Sequence, residues 1–312
     1  MDYSALLQKV KANVARVIVG KEEVTGLLLV ALLAEGHVLM EDVPGIGKTT
    51  LAKALARSLD CSFSRIQFTP DLLPGDVTGI NVYNQRTQNF EFRPGPVHHN
   101  LVLADEINRA TPRVQSSLLE AMQERQVTVD GATLPLPAPF MVLATQNPIE
   151  LEGTFPLPEA QMDRFLMQIA LGYPSLEEED EILVRYQQAD PLVELQPVVT
   201  LEEILALQTA TRAVHVSPDV RQYILQLVRR TREHEAVALG VSPRGSLALF
   251  RAAQALALLR GRDFVIPSDV QTLAPAVLTH RVHISPYIRL RGRTPEQVVT
   301  QILETVPVPV VE

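Results

Sequence analysis

Glu41-Asp42-Val43-Pro44-Gly45-Ile46-Gly47-Lys48-Thr49-Thr50 joins a short apolar run, His37 to Met40, to Leu51-Ala52-Lys53-Ala54-Leu55-Ala56. The first run has the character of a strand and the last stretch that of a helix. Strand, glycine-rich loop, Lys-Thr and helix are together the context of a phosphate-binding loop. Glycines let backbone N–H groups turn inward around an anion, and a helix N-terminus adds a favourable dipole. Lys48 is the residue to reach the outer phosphates, and the Thr49 hydroxyl is a ligand for Mg²⁺. The generic pattern has glycine six residues before the lysine, where this chain has Asp42. The Pro44-Gly45-Ile46-Gly47-Lys48-Thr49 core is intact, so the departure reads as minor.

Working outward, the chain has 312 residues, 46% hydrophobic and 21% charged, which allows one large domain or two modest ones with a sizeable core. The net charge of −8 argues against broad nucleic-acid binding. A single cysteine, Cys61, excludes a disulfide within the chain and suits a small buried residue. The start, Met1-Asp2-Tyr3, lacks the basic segment of a secretory signal, and the longest apolar run, Gly26 to Ala34, is too short to span a bilayer. A cytoplasmic protein with no membrane span is expected.

Apolar residues at helical spacing predict helices over 4–17 and 22–34, the second closed by Gly36. After the loop and its helix, Ser62 to Phe68 reads as a strand. A Gly, Pro and Asp-rich region follows, and then a hairpin near 80–92. Leu101-Val102-Leu103-Ala104-Asp105-Glu106 is a continuous apolar run ending in two carboxylates. That pattern fits a strand buried on both faces of a parallel sheet. Ligands in such sheets bind at the carboxyl ends of the strands, where Asp105 and Glu106 emerge. Asp105 suits the Mg²⁺ shell and Glu106 suits the activation of water. A helix over 112–125, a second hairpin over 126–136 and a buried strand over 140–145 come next. Asn147 emerges at the same edge; taken alone, Asn147-Pro148 reads first as a turn starter, and the alternative is a side-chain amide that holds the water or the γ-phosphate by hydrogen bonds. A short turn or helix over 159–163 leads to a strand over 165–171. Gly172-Tyr173-Pro174-Ser175 then divides an α/β part, 1–174, from a helical part, 175–312. Helices are expected near 176–188, 200–212, 218–235, 244–260, 268–280 and 294–304, with Leu247 to Leu259 at the core. Arg281, Arg289, Arg291 and Arg293 are read as a solvated face, with contact to a neighbouring subunit as the alternative.

Taken together, these motifs resemble the MoxR group of AAA+ ATPases over nearly the whole length. The resemblance is carried by Pro44–Thr49, Leu101–Glu106 with Ile107-Asn108-Arg109-Ala110, Ala144-Thr145-Gln146-Asn147-Pro148, Glu159-Ala160-Gln161-Met162-Asp163-Arg164-Phe165 and Val241-Ser242-Pro243-Arg244. It implies a P-loop core whose parallel sheet is flanked by helices, followed by a smaller all-helical lid. The hairpins near 80–92 and 126–136 match insertions of this clade. Residue by residue, it implies adenine contact at Val19 and Gly20 and nucleotide binding by Pro44, Gly45, Ile46, Gly47, Lys48, Thr49 and Thr50. Thr49 and Asp105 are implied at Mg²⁺, Glu106 at the attacking water, and Asn147 as sensor 1. Arg164 matches the arginine finger that serves a neighbouring subunit, and Arg244 matches sensor 2. ATP and Mg²⁺ are the implied cofactors. A hexameric homo-oligomer is implied, with a partner carrying a von Willebrand factor A domain and chaperone-like work in enzyme maturation or metal-centre insertion.

Two other classes compete. One is a nucleotide-gated assembly scaffold with little hydrolysis, against which Glu106 speaks. The other is a chelatase-type motor subunit or a DNA-acting relative. The DNA reading calls for a basic pore, and the hairpin Gln126 to Leu136 carries no lysine or arginine.

Overall fold

A computed structural model describes residues 3–147, 153–187 and 190–309. In chain order the elements are α1 (Tyr3–Ala15), α2 (Glu22–Leu33), β1 (Val38–Glu41), α3 (Lys48–Ser58), β2 (Phe63–Gln67), α4 (Pro74–Thr78), β3 (Gly79–Asn84) and β4 (Asn89–Pro94). They continue with β5 (Leu101–Asp105), α5 (Pro112–Glu124), β6 (Gln126–Val129), β7 (Ala132–Pro135), β8 (Met141–Gln146), α6 (Glu159–Met162) and β9 (Met167–Ile169). The C-terminal region comprises α7 (Leu176–Tyr186), α8 (Leu201–Ala213), α9 (Pro218–Glu233), β10 (Val237–Leu239), α10 (Pro243–Leu259), α11 (Pro267–Leu278), β11 (His283–Ile284), α12 (Pro286–Arg289) and α13 (Pro295–Thr305).

Five strands form one parallel sheet in the order β2-β5-β8-β1-β9. Its central strands are apolar throughout because alternate residues enter two different cores. Val38, Met40, Leu101, Leu103, Met141 and Leu143 join one core with α1, α2, α3 and the C-terminal helices. Leu39, Val102, Ala104, Val142 and Ala144 join the other, which α5 covers with Val114, Leu118 and Leu119. The first core runs without a break from Leu7 in α1 to Val306 after α13. Within it α2 packs on α1, α8 and α10, and that accounts for its apolar surface on nearly every side. Gln208 of α8 ties the same contact by donating from Nε2 to the Leu32 carbonyl at 2.7 Å.

Both expected hairpins stand outside the main sheet, as β3–β4 and β6–β7. Four details differ from the sequence reading. The 69–79 region contains the short helix α4. The left-handed residue that ends α2 is Glu35 (φ 54°) rather than Gly36, and the Gly36 N–H closes the turn on the Ala31 carbonyl at 2.8 Å. The strand expected over 165–171 is confined to Met167–Ile169, because the carbonyls of Phe165 and Leu166 are taken by Arg281 instead of a strand neighbour. The helical C-terminal region also carries one short antiparallel pair, β10–β11. No helix among the described residues is long and apolar enough to cross a membrane.

Candidate active site

The carboxyl ends of β1, β5 and β8 share one edge of the sheet, and the loop after β1 curls over it. Gly45 and Gly47 take left-handed φ values of 85° and 94°, and a Cβ on either would meet nothing within 4 Å. A glycine-only backbone therefore faces open space at the start of α3, as an oxyanion cradle requires. Lys48 opens α3, and its Nζ donates to the carbonyls of Asp42 at 2.7 Å and Val43 at 3.2 Å. Burial draws the Lys48 pKa down, while Asp42, Asp105 and Glu106 oppose that shift. Lys48, Thr49, Asp105, Glu106, Thr145 and Asn147 line a single cavity of about 370 Å³.

The two acids are held by different partners. Glu106 has a left-handed backbone, φ 58°, which is uncommon for a residue with a side chain. Its N–H donates to Thr145 Oγ1 at 2.8 Å, and that hydroxyl donates to Asp105 Oδ1 at 2.6 Å. Arg65 donates to Asp105 Oδ2 from Nε at 3.0 Å and from Nη2 at 2.6 Å. Gln67 Nε2 donates to Glu106 Oε2 at 2.8 Å, and Arg109 Nε approaches the same oxygen at 3.1 Å. The sequence alone gives Arg65, Gln67 and Thr145 no role at this site. Gln67 pairs in register with Asp105 across β2 and β5, so lining up the strand ends was the signal available for it.

The donors suit Mg²⁺. One hydroxyl (Thr49) and one carboxylate (Asp105) reach the same cavity, and both offer oxygen alone. Mg²⁺ is commonly bound through one or two protein oxygens, with phosphates and waters completing its shell. Among the described residues there is no group of three His, Cys, Asp or Glu that would make a dedicated cage.

A second, larger cavity of about 890 Å³ continues from the loop, with Pro44, Gly45, Ile46, Gly47 and Thr50 on one side. Val19 lines it, as do Leu171, Tyr173, Leu183 and Tyr186, so its walls are largely apolar, as a base requires. Gly20 is not in the lining; a Cβ on it would run into Glu178 of α7. Asp42 accepts the N–H groups of Leu171 and Gly172 on Oδ2, both at 2.7 Å, and that of Val43 on Oδ1 at 2.9 Å. The departure from the generic loop pattern thus anchors the loop to the segment that leads into α7.

Neither Arg164 nor Arg244 lines the cavity that holds Lys48, Asp105 and Glu106. Both line a third cavity, of about 270 Å³, together with Arg125, Arg251 and Arg281. Arg164 Nε is buried and has no hydrogen-bond partner among the described residues. Arg244 reaches Gln123 Oε1 only at 3.4 Å. Pro148, the last residue of the motif around Asn147, lies outside the described residues.

The family described as "ATPase family associated with various cellular activities (AAA)" matches residues 37–167, and the AAA lid domain matches residues 229–302. Chaperone MoxR1 of Mycobacterium tuberculosis is 46% identical, over 97% of this chain and 82% of its own length. Protein MoxR of Methylorubrum extorquens is 33% identical, over 99% of this chain and 96% of its own. The chain belongs to the MoxR family of AAA+ ATPases. A crystal structure of a Cytophaga hutchinsonii protein, 40% identical, superimposes with a TM-score of 0.93 over 99% of this chain and 96% of that one. In this MoxR-family chain the AAA match holds the loop, both acids, Asn147 and Arg164, whereas the lid match holds Arg244 and Arg281.

Proposed function

We propose that this chain hydrolyses ATP at sites completed by two subunits of a ring. One observation carries the reading. Arg164 and Arg244 converge in a cavity separate from the phosphate cavity, and a buried guanidinium nitrogen of Arg164 lacks a partner there. A half-buried guanidinium with an unpaired nitrogen suits an anion brought from outside the chain.

In this reading the backbone at Gly45 and Gly47 and the N-terminus of α3 hold the phosphates, and Lys48 supplies positive charge to the outer ones. Val19 and the apolar wall of the larger cavity, with Gly20 next to Val19 in the chain, receive the base. Thr49 and Asp105 hold Mg²⁺, which neutralises phosphate charge when bound. Glu106 orients the attacking water and takes its proton, and Asn147 fixes the water or the terminal phosphate by hydrogen bonds. The neighbouring subunit's arginine pair then meets charge developing on the transferred group. Phosphoryl transfer asks a protein chiefly for positioning and charge neutralisation, and an arginine supplied in trans is worth about 10³–10⁵ in rate in related systems. A hexamer fits such shared sites. Chaperone-like work with a von Willebrand factor A domain partner, in enzyme maturation or metal-centre insertion, belongs to the same proposal. The name of the mycobacterial relative supports its chaperone part.

The test is ATP turnover against protein concentration for the wild type, Glu106→Gln and Arg164→Ala, with each protein sized in ATP. Specific activity is expected to rise with concentration. Both variants should bind ATP and assemble, yet lose at least about 10³ in turnover. An Arg164→Ala protein with wild-type turnover would remove the shared site from the proposal.

A further inference from the structure

We propose that Arg281 is a positioning residue for hydrolysis. Through Asp163 and Ser242 it fastens the segment bearing Arg164 to the helix bearing Arg244, so that both arginines are presented together. The inference rests on the shared-site reading above.

Arg281 follows α11 in a turn of 3₁₀ helix, and its side chain is 3% exposed. Most of its guanidinium bonds fall on the chain around Arg164, and Nη1 also lies 2.8 Å from His280 Nε2. Nε donates to Asp163 Oδ1 at 2.7 Å, and Nη2 donates to the Asp163 carbonyl at 3.2 Å and to that of Phe165. Nη1 donates to the Leu166 carbonyl at 3.1 Å and to that of Val277. One planar fork therefore holds three carbonyls on a stretch of four residues, with Arg164 inside the stretch. Lysine, with a compact ammonium group, has no such geometry.

The second arm runs through the other carboxylate oxygen. Ser242 Oγ donates to Asp163 Oδ2 at 2.7 Å and accepts the Arg244 N–H at 3.1 Å. Ser242 is the N-cap of α10, so the same hydroxyl starts the helix on which Arg244 sits in the first turn. Asp163 thus touches the lid twice and precedes Arg164 directly. A buried ion pair is a weak device for stability, since its desolvation cost offsets most of its attraction. Apart from the bonds to Val277 and His280 beside it, these bonds fall on residues 163–166 or on the start of the Arg244 helix, and that placement distinguishes orientation from bulk stability. Arginine geometry matters steeply in such sites, where a displacement near 1 Å costs on the order of 10² in rate.

The experiment mixes full-length subunits. Arg281→Lys keeps the charge and loses the fork; Ser242→Ala breaks the second arm and leaves Arg281 intact. Each should assemble in ATP and bind nucleotide as the wild type does. Turnover should fall on the order of 10²-fold for Arg281→Lys and about tenfold for Ser242→Ala. Glu106→Gln subunits are inactive at their own site but carry an undisturbed arginine pair. Mixed with either variant they should restore turnover well above that of both parents, because the variant's own nucleotide site is sound. A variant that is merely poorly folded gains nothing from such mixing. The Arg164→Ala and Glu106→Gln mixture is the control for the shared site. If that mixture regains no turnover, the shared site itself fails. If it does regain turnover while Arg281→Lys and Ser242→Ala remain fully active, or fail to be rescued, the role given to Arg281 is overturned.

Discussion

Asp42 stands where the generic phosphate loop has glycine, and its side chain explains why a carboxylate is useful there. It accepts three backbone N–H groups, one from the loop and two from the segment entering α7. Restoring the generic residue, Asp42→Gly, would leave the Leu171 and Gly172 donors without their charged acceptor. Bonds of this kind contribute about 1.5–3 kcal/mol each in favourable cases. We expect Asp42→Gly to lower stability by about 2–4 kcal/mol, read as a drop in the urea midpoint, with Asp42→Asn falling between it and the wild type. An unchanged midpoint for Asp42→Gly would show that water serves those two N–H groups equally well. The loop was readable from sequence because its chemistry is local: glycines, lysine and threonine lie within a few residues. The job of Asp42 was not, because its partners lie far along the chain. Arg281 was unreadable for the same reason. Four arginines close together suggested solvent, whereas an aspartate 118 residues away makes one of them a buried clamp.

Elements brought the remaining pieces together, and the turn between α1 and α2 shows how tightly. Gly20 has φ 70°, and a Cβ there would stand 1.6 Å from Glu178 Oε1. Glu178 is not free to retreat at no cost: its Oε2 accepts the Ser175 N–H at 2.9 Å, closing the capping box at the start of α7. That helix places Leu183 and Tyr186 in the larger cavity, the one proposed above for the base. Gly20→Ala should therefore cost the left-handed strain, about 1–2 kcal/mol, plus the loss of the cap, about 0.5–2 kcal/mol. In a Glu178→Ala background only the strain remains, so the double variant should be less destabilised than the two single changes predict together. Strict additivity would mean that the two side chains do not compete. The main sheet itself was legible, because strands buried on both faces read as unbroken apolar runs, as at Leu101–Ala104. The strip after Arg164 looked equally apolar and yet is mostly not strand. The carbonyls of its first two residues, Phe165 and Leu166, are claimed by a side chain from the lid, and no local pattern records that. Gln67 and Thr145 reach the acids only through the register of β2, β5 and β8, which becomes available once the strand order is known.

At the scale of the whole molecule, two buried histidines tie distant parts together and make stability depend on pH. His37 enters β1 and joins it to α5 and β8. Its Nδ1 accepts the Val142 N–H at 3.0 Å, and its Nε2 lies 3.0 Å from the Met122 carbonyl. That arrangement suits a neutral ring, with the proton on Nε2. Burial is the main cause that lowers its pKa to about 4; the Met122 carbonyl opposes this and Arg125 adds to it. His280 sits beside Arg281 at the contact between the lid and the Arg164 segment. Burial first, and then Arg281, holds its pKa well below the ordinary value. Both rings bind a proton more readily in the unfolded chain than in the folded one. Their contribution is therefore fully present above about pH 6.5 and is lost as pH falls towards and through the folded values. For His37 alone, the loss between pH 6.5 and about 4 amounts to about 3 kcal/mol, and His280 acts with the same sign. Urea midpoints measured at steps from pH 7.5 to 4.5 should fall on acidification for the wild type. His37→Gln keeps an amide donor in place of Nε2–H and has nothing to titrate. It should begin less stable at pH 7.5 and fall more gently, so that the two curves converge in acid. Parallel curves would mean that His37 is not neutral in the fold. Convergence would make the junction of β1, α5 and β8 an acid-labile point beneath the phosphate loop, because the strand that His37 enters is the one that delivers the loop.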